Sequence, residues 1–253
     1  MDNLIQSELF KLRKNRSFWT LIFIIMGLAA AFVVLSYIDS RMDQEAEVKG
    51  IDYFMNTIIG NNYMIKFSLP ILAGFFIASE YSTGVMKTIA SSGNSRLRIY
   101  MAKLFVLSFG GIVISLVLPF TLLTIGTLLS GFGELPDGSS LAYVLRVTGL
   151  TFLYAIAFAS IVAVFSTIFA ESGKTIGMGL VFFMFIDTIL FLLGNFAPFV
   201  RTIDDNMVFK LSQEIDALNM DNGMLFKLIA VPVITYIVLG SLGAWIYTKK
   251  EIK

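Results

Sequence analysis

Apolar residues in this chain do not alternate, and they do not recur at helical spacing with polar residues between them. They run almost unbroken for twenty residues and more. Six such stretches stand out, at 18–38, 58–79, 104–130, 141–169, 175–195 and 225–247. A bilayer-spanning helix needs about 20 mostly apolar residues, because each residue rises about 1.5 Å through roughly 30 Å of hydrocarbon. The pattern therefore predicts an all-α membrane protein of six transmembrane helices, forming one domain over 1–253. The second stretch is the weakest, since Asn61, Asn62 and Lys66 interrupt its first half.

Composition reinforces the pattern. Of 253 residues 57% are apolar or aromatic, 15% are charged, and mean hydropathy is +0.80. A soluble domain is about 45–50% apolar and about 25% charged. There is no Cys and no His, which removes disulfides, thiol catalysis, Cys-based metal sites and the commonest general base. A net charge of +1 gives no reason to expect a nucleic-acid partner. Lys11, Arg13, Lys14 and Arg16 precede the first span, as basic residues precede a secretory signal. A signal's apolar core is about 7–15 residues long; this one is longer and runs into Ser36, Tyr37, Ile38 and Asp39, so it reads as an uncleaved anchor.

Six spans put both termini on one side of the membrane. That side and its span ends carry twelve Lys and Arg against five acids; the other side has seven basic residues and twelve acids. The excess of positive charge predicts cytoplasmic termini. No stretch between spans approaches the roughly 50 residues of a small soluble domain, so no appended catalytic domain is expected. Ser172-Gly173-Lys174-Thr175 looks like the end of a phosphate-binding loop. The required glycine five residues earlier is Ile168, and a membrane helix precedes it in place of a strand. It reads as a turn.

Three segments outside the spans are patterned. In the first, 1–17, Leu4, Ile5, Leu9 and Leu12 share an arc of about 140° at helical spacing, as in a helix lying in the interface; Glu8 spoils the arc and Phe10 lies outside it. Before the sixth span, Met207, Leu211, Ile215 and Leu218 recur at helical spacing with Asp204 or Asp205 placed to cap, which predicts an amphipathic helix over the outer mouth. The third is the cytoplasmic loop 80–103. There Val85, Met86 and Ile89 form one apolar face of a short helix, Gly93-Asn94 makes a turn, and Ser95 caps a basic helix start. That face suits either a partner protein or the membrane surface.

In this loop Glu80 and Tyr81 are followed by Gly84, a short helix, Ser95-Arg96 and Lys103. Together with the six spans and the basic start, this resembles the permease subunits of type-2 ABC exporters, the small bacterial peptide and bacteriocin permeases among them. Val85 stands where many relatives carry Thr. The resemblance implies that 80–103 is a coupling loop docking on a separate cytoplasmic ABC ATPase, present in two copies, with roles for Glu80, Gly84, Val85, Met86, Lys87, Ile89 and Arg96. Lys87 and Arg96 would meet acidic ATPase surface, while Val85, Met86 and Ile89 would supply apolar contact. It also implies a second permease subunit, as a homodimer, in a bacterial cell membrane. The chain itself would be non-catalytic and hold no cofactor or metal, with ATP-Mg bound by the ATPase. An amphipathic or apolar cargo is expected, a peptide such as a toxin, bacteriocin or antimicrobial peptide. An ATP-independent channel or secondary transporter is the alternative. A membrane-embedded enzyme lacks plausible catalytic groups.

Charges within hydrocarbon cost about 2.5–3.5 kcal/mol on insertion scales, so each needs a reason. Lys66 and Asp187 lie at equal depth, roughly 12 Å below the outer surface at about 1.5 Å per residue, which makes an ion pair between the second and fifth spans possible; Arg146 is the rival partner. Ala155, Ala159 and Ala163 form a small-residue ladder, and Gly173 and Gly177 repeat its spacing. Pro70, Pro119 and Pro232 each interrupt a span.

Overall fold

A computed structural model describes residues 2–43, 47–90, 93–136 and 138–250. The described residues are helical with turns, and contain no strand. Helix α1 (Asp2–Lys14) precedes the first span, α2 (Arg16–Asp43). A short α3 (Gly50–Asn56) leads into the second span, which is α4 (Ile58–Ala73), a π-helical turn (Gly74–Ala78) and α5 (Ser79–Ser82). After α6 (Val85–Ala90) come the third, fourth and fifth spans, α7 (Arg96–Ser130), α8 (Ser140–Phe169) and α9 (Ser172–Phe196). Two short helices, α10 (Pro198–Asp204) and α11 (Val208–Leu211), separate these from the last span, α12 (Asn222–Lys249). Six helices are long and apolar enough to cross a membrane. Several overrun the stretches read from hydropathy, because α7 and α12 continue as helix into basic ends.

The second and fourth spans form the centre. Two-thirds of the apolar window of each is buried, whereas α2, α9 and α12 turn most of theirs outward. An outward apolar face is what a helix presents to lipid. Ala155, Ala159 and Ala163 are wholly buried, and the ladder meets α7 at Gly111. Gly173 and Gly177 have no such role: no atom lies within 4 Å of where a Cβ would stand on either. The close approach to α9 is made at Gly179, where a Cβ would come 2.7 Å from the Pro70 ring. Pro70 carries no amide hydrogen, and the helix widens into the π turn four residues later; such turns mark departures from regular helix with a use.

At the end of the bundle away from the two chain ends, here the distal end, α3 docks against α7. Gly50 and Ile51 donate their amides to the carbonyls of Gly131 and Phe132, at 3.0 and 2.8 Å. Phe54 sits edge-on to Phe120 and Tyr143. Gly126 makes room: a Cβ there would lie 2.6 Å from the Tyr53 ring and 3.0 Å from the Gly50 Cα.

The segment 197–221 differs from the amphipathic helix expected of it. Only 208–211 of the periodic stretch is helical, Leu218 is exposed, and Asp204 and Asp205 end α10 instead of starting a helix. The chain reverses at Ala197, and α10 runs back along α9 with Arg201 beside Gly194. The Phe209 ring then stacks on Phe158, 6.0 Å away, and meets Phe182 at 5.7 Å. Phe182 lies ten residues from the start of α9 at Ser172, about 15 Å. The segment therefore re-enters the bundle to roughly mid-depth. Its apolar residues are buried because the turn is inserted, not because one helical face lies on a surface.

Two glycine substitutions separate these packings. Gly126→Ala should destabilise the protein by about 1–3 kcal/mol through overpacking, and Gly177→Ala by less than about 0.5 kcal/mol. Thermal midpoints in detergent check both.

Candidate functional site

At the end of the bundle that holds α1 and the last turn of α12, four charges close a ring. Glu8 and Lys11 stand one turn apart on α1, Glu80 sits on α5 where the second span ends, and Lys103 lies two turns into α7. Lys11 Nζ donates to Glu8 Oε1 and Glu80 Oε1, both at 2.8 Å. Lys103 Nζ donates to Glu8 Oε1 at 3.0 Å and to Glu80 Oε2. Lys103 is 1% exposed, Glu8 3% and Glu80 8%. A buried charge survives only when it is paired and hydrogen-bonded; here two acids and two bases do this for each other. Glu8, which spoiled the apolar arc of α1, is the residue that fastens that helix down.

From Glu80 the chain turns at Gly84, whose φ of +74° favours glycine, into α6. Val85 and Lys87 are exposed, and Ile89 is partly buried. Met86 is turned inward and fully buried; the Tyr247 hydroxyl donates to its sulfur at 3.1 Å. The apolar face expected to meet a partner is thus divided, with Met86 holding α6 to the end of α12. Ser91 and Ser92 in this loop lie outside the described residues. Arg96 is engaged as well. Its guanidinium donates to the carbonyls of Thr248 (3.2 Å) and Lys250 (2.7 Å), at the end of α12. Lys250 in turn donates to the carbonyls of Thr167 and Ile168, at 2.5 and 2.8 Å, in the last turn of α8. Both cations sit where unpaired carbonyls and the helix dipole favour positive charge. Tyr247 also lies 5.8 Å from Tyr100 and 6.4 Å from Tyr81, ring to ring. The ends of four spans and α6 meet within this one junction.

The second cluster lies deeper. Lys66, 2% exposed, donates to Asp187 Oδ2 at 2.7 Å, joining the second span to the fifth. Its ammonium is 5.8 Å from the ring centres of both Phe158 and Phe209, within cation–π range. The re-entrant segment therefore supplies one wall of the lysine's pocket, and Asp204 lies within electrostatic reach of Asp187. Arg146 is placed elsewhere: it donates to the carbonyls of Ala217 (2.6 Å) and Leu218 (3.3 Å). Asn62 donates to the Ser212 hydroxyl at 2.7 Å, and Tyr143 donates to Asp216 O at 3.0 Å. Tyr143 and Arg146 thereby answer carbonyls of a non-helical backbone that lipid could not, while Asn62 ties the Ser212 side chain to the second span. Among the described residues no group of three or more His, Cys, Asp or Glu is arranged to hold a metal ion.

Residues 4–188 match the family described as ABC-2 family transporter protein. That match covers well over half of the chain, from α1 to the Lys66–Asp187 pair. The chain belongs to the ABC-2 transporter family. No curated protein matches it. Membership makes this a multi-pass membrane component of an ABC transporter; the four-charge ring and the Lys66–Asp187 pair lie within the matched ABC-2 region, whereas Tyr247, Lys250 and the re-entrant segment lie beyond it. Sequence reasoning on this ABC-2 protein singled out Glu80, Gly84 and Arg96 but passed over Glu8, Lys11, Tyr247 and Lys250. Glu8 had left a signal, as the one acid on an apolar arc.

The ring predicts a pH response. Burial alone would lower the pKa of Lys11, but its hydrogen bonds to Glu8 and Glu80 carry it above the ordinary 10.5. Stability from a raised lysine is complete below the unfolded value and is lost as pH climbs through the folded one. The thermal midpoint should therefore fall above pH 10.5, and fall less steeply in Lys11→Met. At neutral pH Lys103→Met should cost more than Lys11→Met, about 3–5 kcal/mol, because it leaves two buried carboxylates with one partly exposed cation. For the deeper pair, Lys66→Asp and Asp187→Lys should each abolish monodisperse protein, and the double swap should recover it. A double no better than the singles would show that the pairing does not hold the fold.

Proposed function

We propose that the chain is the permease of an ATP-driven exporter, with both termini in the cytoplasm of a bacterial cell. A separate ABC ATPase in two copies energises it, and a second copy of the chain completes the path. The observation that carries this reading is the junction at Glu80. A short helix with exposed Val85 and Lys87 projects from the end of the bundle, and its base is tied by ion pairs to α1 and α7 and by Met86 to α12. A push on such a helix is delivered to several spans together. The same end carries the excess of basic residues that marks a cytoplasmic face.

Glu80, Met86 and Arg96 act inside the junction as transmitters, Gly84 sets the angle of α6, and Val85 and Lys87 form the surface offered to the ATPase, with Ile89 at its edge. Interior charges are few and engaged with one another, which leaves little to bind a soluble solute. The cargo is amphipathic or apolar, a peptide by the resemblance to small bacteriocin and immunity permeases.

The test is co-purification in detergent with the cognate ABC ATPase. Wild type should retain the ATPase. A Val85→Asp, Lys87→Glu double variant should lose it while staying monodisperse, because neither side chain is buried. Substituting Met86 would confuse lost docking with lost folding. Wild type that holds no ATPase would end this reading in favour of an ATP-independent channel or carrier.

A further inference from the structure

Between the second span, the fourth span and the re-entrant turn lies a small cavity of about 10 Å³. Asn61 and Asn62 line it from α4, Tyr154 and Phe158 from α8, and Ser212 and Ile215 from the turn. All of its lining residues are buried, so it is closed to lipid as well as to solvent.

Both asparagines have committed their amide nitrogens. Asn61 Nδ2 donates to Ser115 O on the third span at 2.9 Å, and Asn62 Nδ2 donates to Ser212 Oγ at 2.7 Å. These partners fix which way each amide faces. Ser115 O is a carbonyl and can only accept, and the Ser212 hydroxyl spends its one proton on Phe209 O. The two side-chain carbonyls are left over: among the described residues neither Asn61 Oδ1 nor Asn62 Oδ1 meets a donor. The buried Tyr154 hydroxyl has no partner among them either. A buried polar atom without a hydrogen bond is costly and rare in a folded protein. Here three of them belong to residues around one cavity.

Their chemistry selects the occupant. Two carbonyl oxygens call for two donors, and a phenol supplies one more donor. A water molecule gives two protons and accepts a third, which matches the two to four partners of a typical buried water. About 10–15 Å³ is the room that one water needs. A cation does not suit the site. No described lining residue carries a carboxylate, and the Lys66 ammonium stands one turn along α4 from Asn62, 5.8 Å from the centre of the Phe158 ring. Two carbonyl oxygens repel an anion.

We propose that this cavity is a binding site for one structural water, which donates to Asn61 Oδ1 and Asn62 Oδ1 and accepts from the Tyr154 hydroxyl. The water joins the second span to the fourth. Asn61 already holds the third span, and Asn62 holds the re-entrant turn. Four elements are thus fastened around a single solvent molecule, one turn from the Lys66–Asp187 pair. The site stands independently of the cargo and of the ATPase.

The test is a density map of the full chain in lipid nanodiscs, at a resolution that shows ordered water, together with the thermal midpoint of Tyr154→Phe. The map should show one isolated peak within hydrogen-bond distance of all three oxygens. Tyr154→Phe keeps the ring and removes only the hydroxyl. A hydroxyl that serves the water stabilises the fold, so the variant should melt about 2–4 °C lower. An unpaired hydroxyl costs stability, and its removal would raise the midpoint. The wild-type map decides even if the variant fails to fold. A cavity without density, or a midpoint unchanged or raised in Tyr154→Phe, would overturn the proposal.

Discussion

Hydrocarbon offers a charge no water, so each ionised group inside this bundle has to be answered by another group of the protein. That requirement organises the protein. Lys103 sits on the third span, and its two partners arrive from elsewhere: Glu80 from the end of the second span and Glu8 from a helix before the first. Because the pairs close into a ring with Lys11, none of these elements can move away alone without stranding a charge. The ring acts less as a source of net stability, which desolvation largely offsets, than as a device that keeps α1, α5 and α7 in register. The exposed helix α6 hangs from that register.

The same requirement explains the interior of the distal half. A stretch of turns at membrane depth is tolerated only when its backbone is answered by protein. Tyr143 and Arg146 supply those hydrogen bonds from the fourth span, and Asn62 of the second span holds the turn through the Ser212 hydroxyl. Lys66 serves both needs, pairing with Asp187 and facing the ring of Phe209 at the innermost point of the turn. The second span thus carries a polar fastening in its first half and Glu80 at its other end. Between them lies the π turn, which is packed against α9 through Gly74. A regular helix would transmit a rotation at one end rigidly to the other; a π turn gives this span a place where the two ends can be set separately.

How far this was legible from the sequence depended on whether a local pattern had a local cause. The spans were legible because hydropathy over 20 residues is a direct consequence of the solvent around them. Their ends were not, since α7 and α12 stay helical through Arg96, Arg98 and Lys249, where hydropathy falls but helix propensity does not. The stretch from Met207 to Leu218 has helical spacing and is mostly not a helix. Its apolar residues are buried by insertion into a bundle that no window of its own sequence describes. The residues of the ring come from positions 8, 11, 80 and 103, and their meeting is a property of the tertiary fold alone.

Met86 shows why this matters for function. An apolar residue on a short helix at the end of a membrane bundle has three places to go: a partner, the lipid surface, or its own chain. Spacing cannot distinguish them, since all three demand the same residue type on the same face. The contact with Tyr247 shows that the chain's own last span takes it. Tyr247 is in turn flanked by Tyr81 and Tyr100, and the next residues are capped by Arg96. The consequence is mechanical. A helix held only at its Glu80 root would pivot and dissipate a push as bending of the Gly84 turn. Held also at Met86, it is supported at two points on different spans, so a displacement of α6 has to carry the second and sixth spans with it.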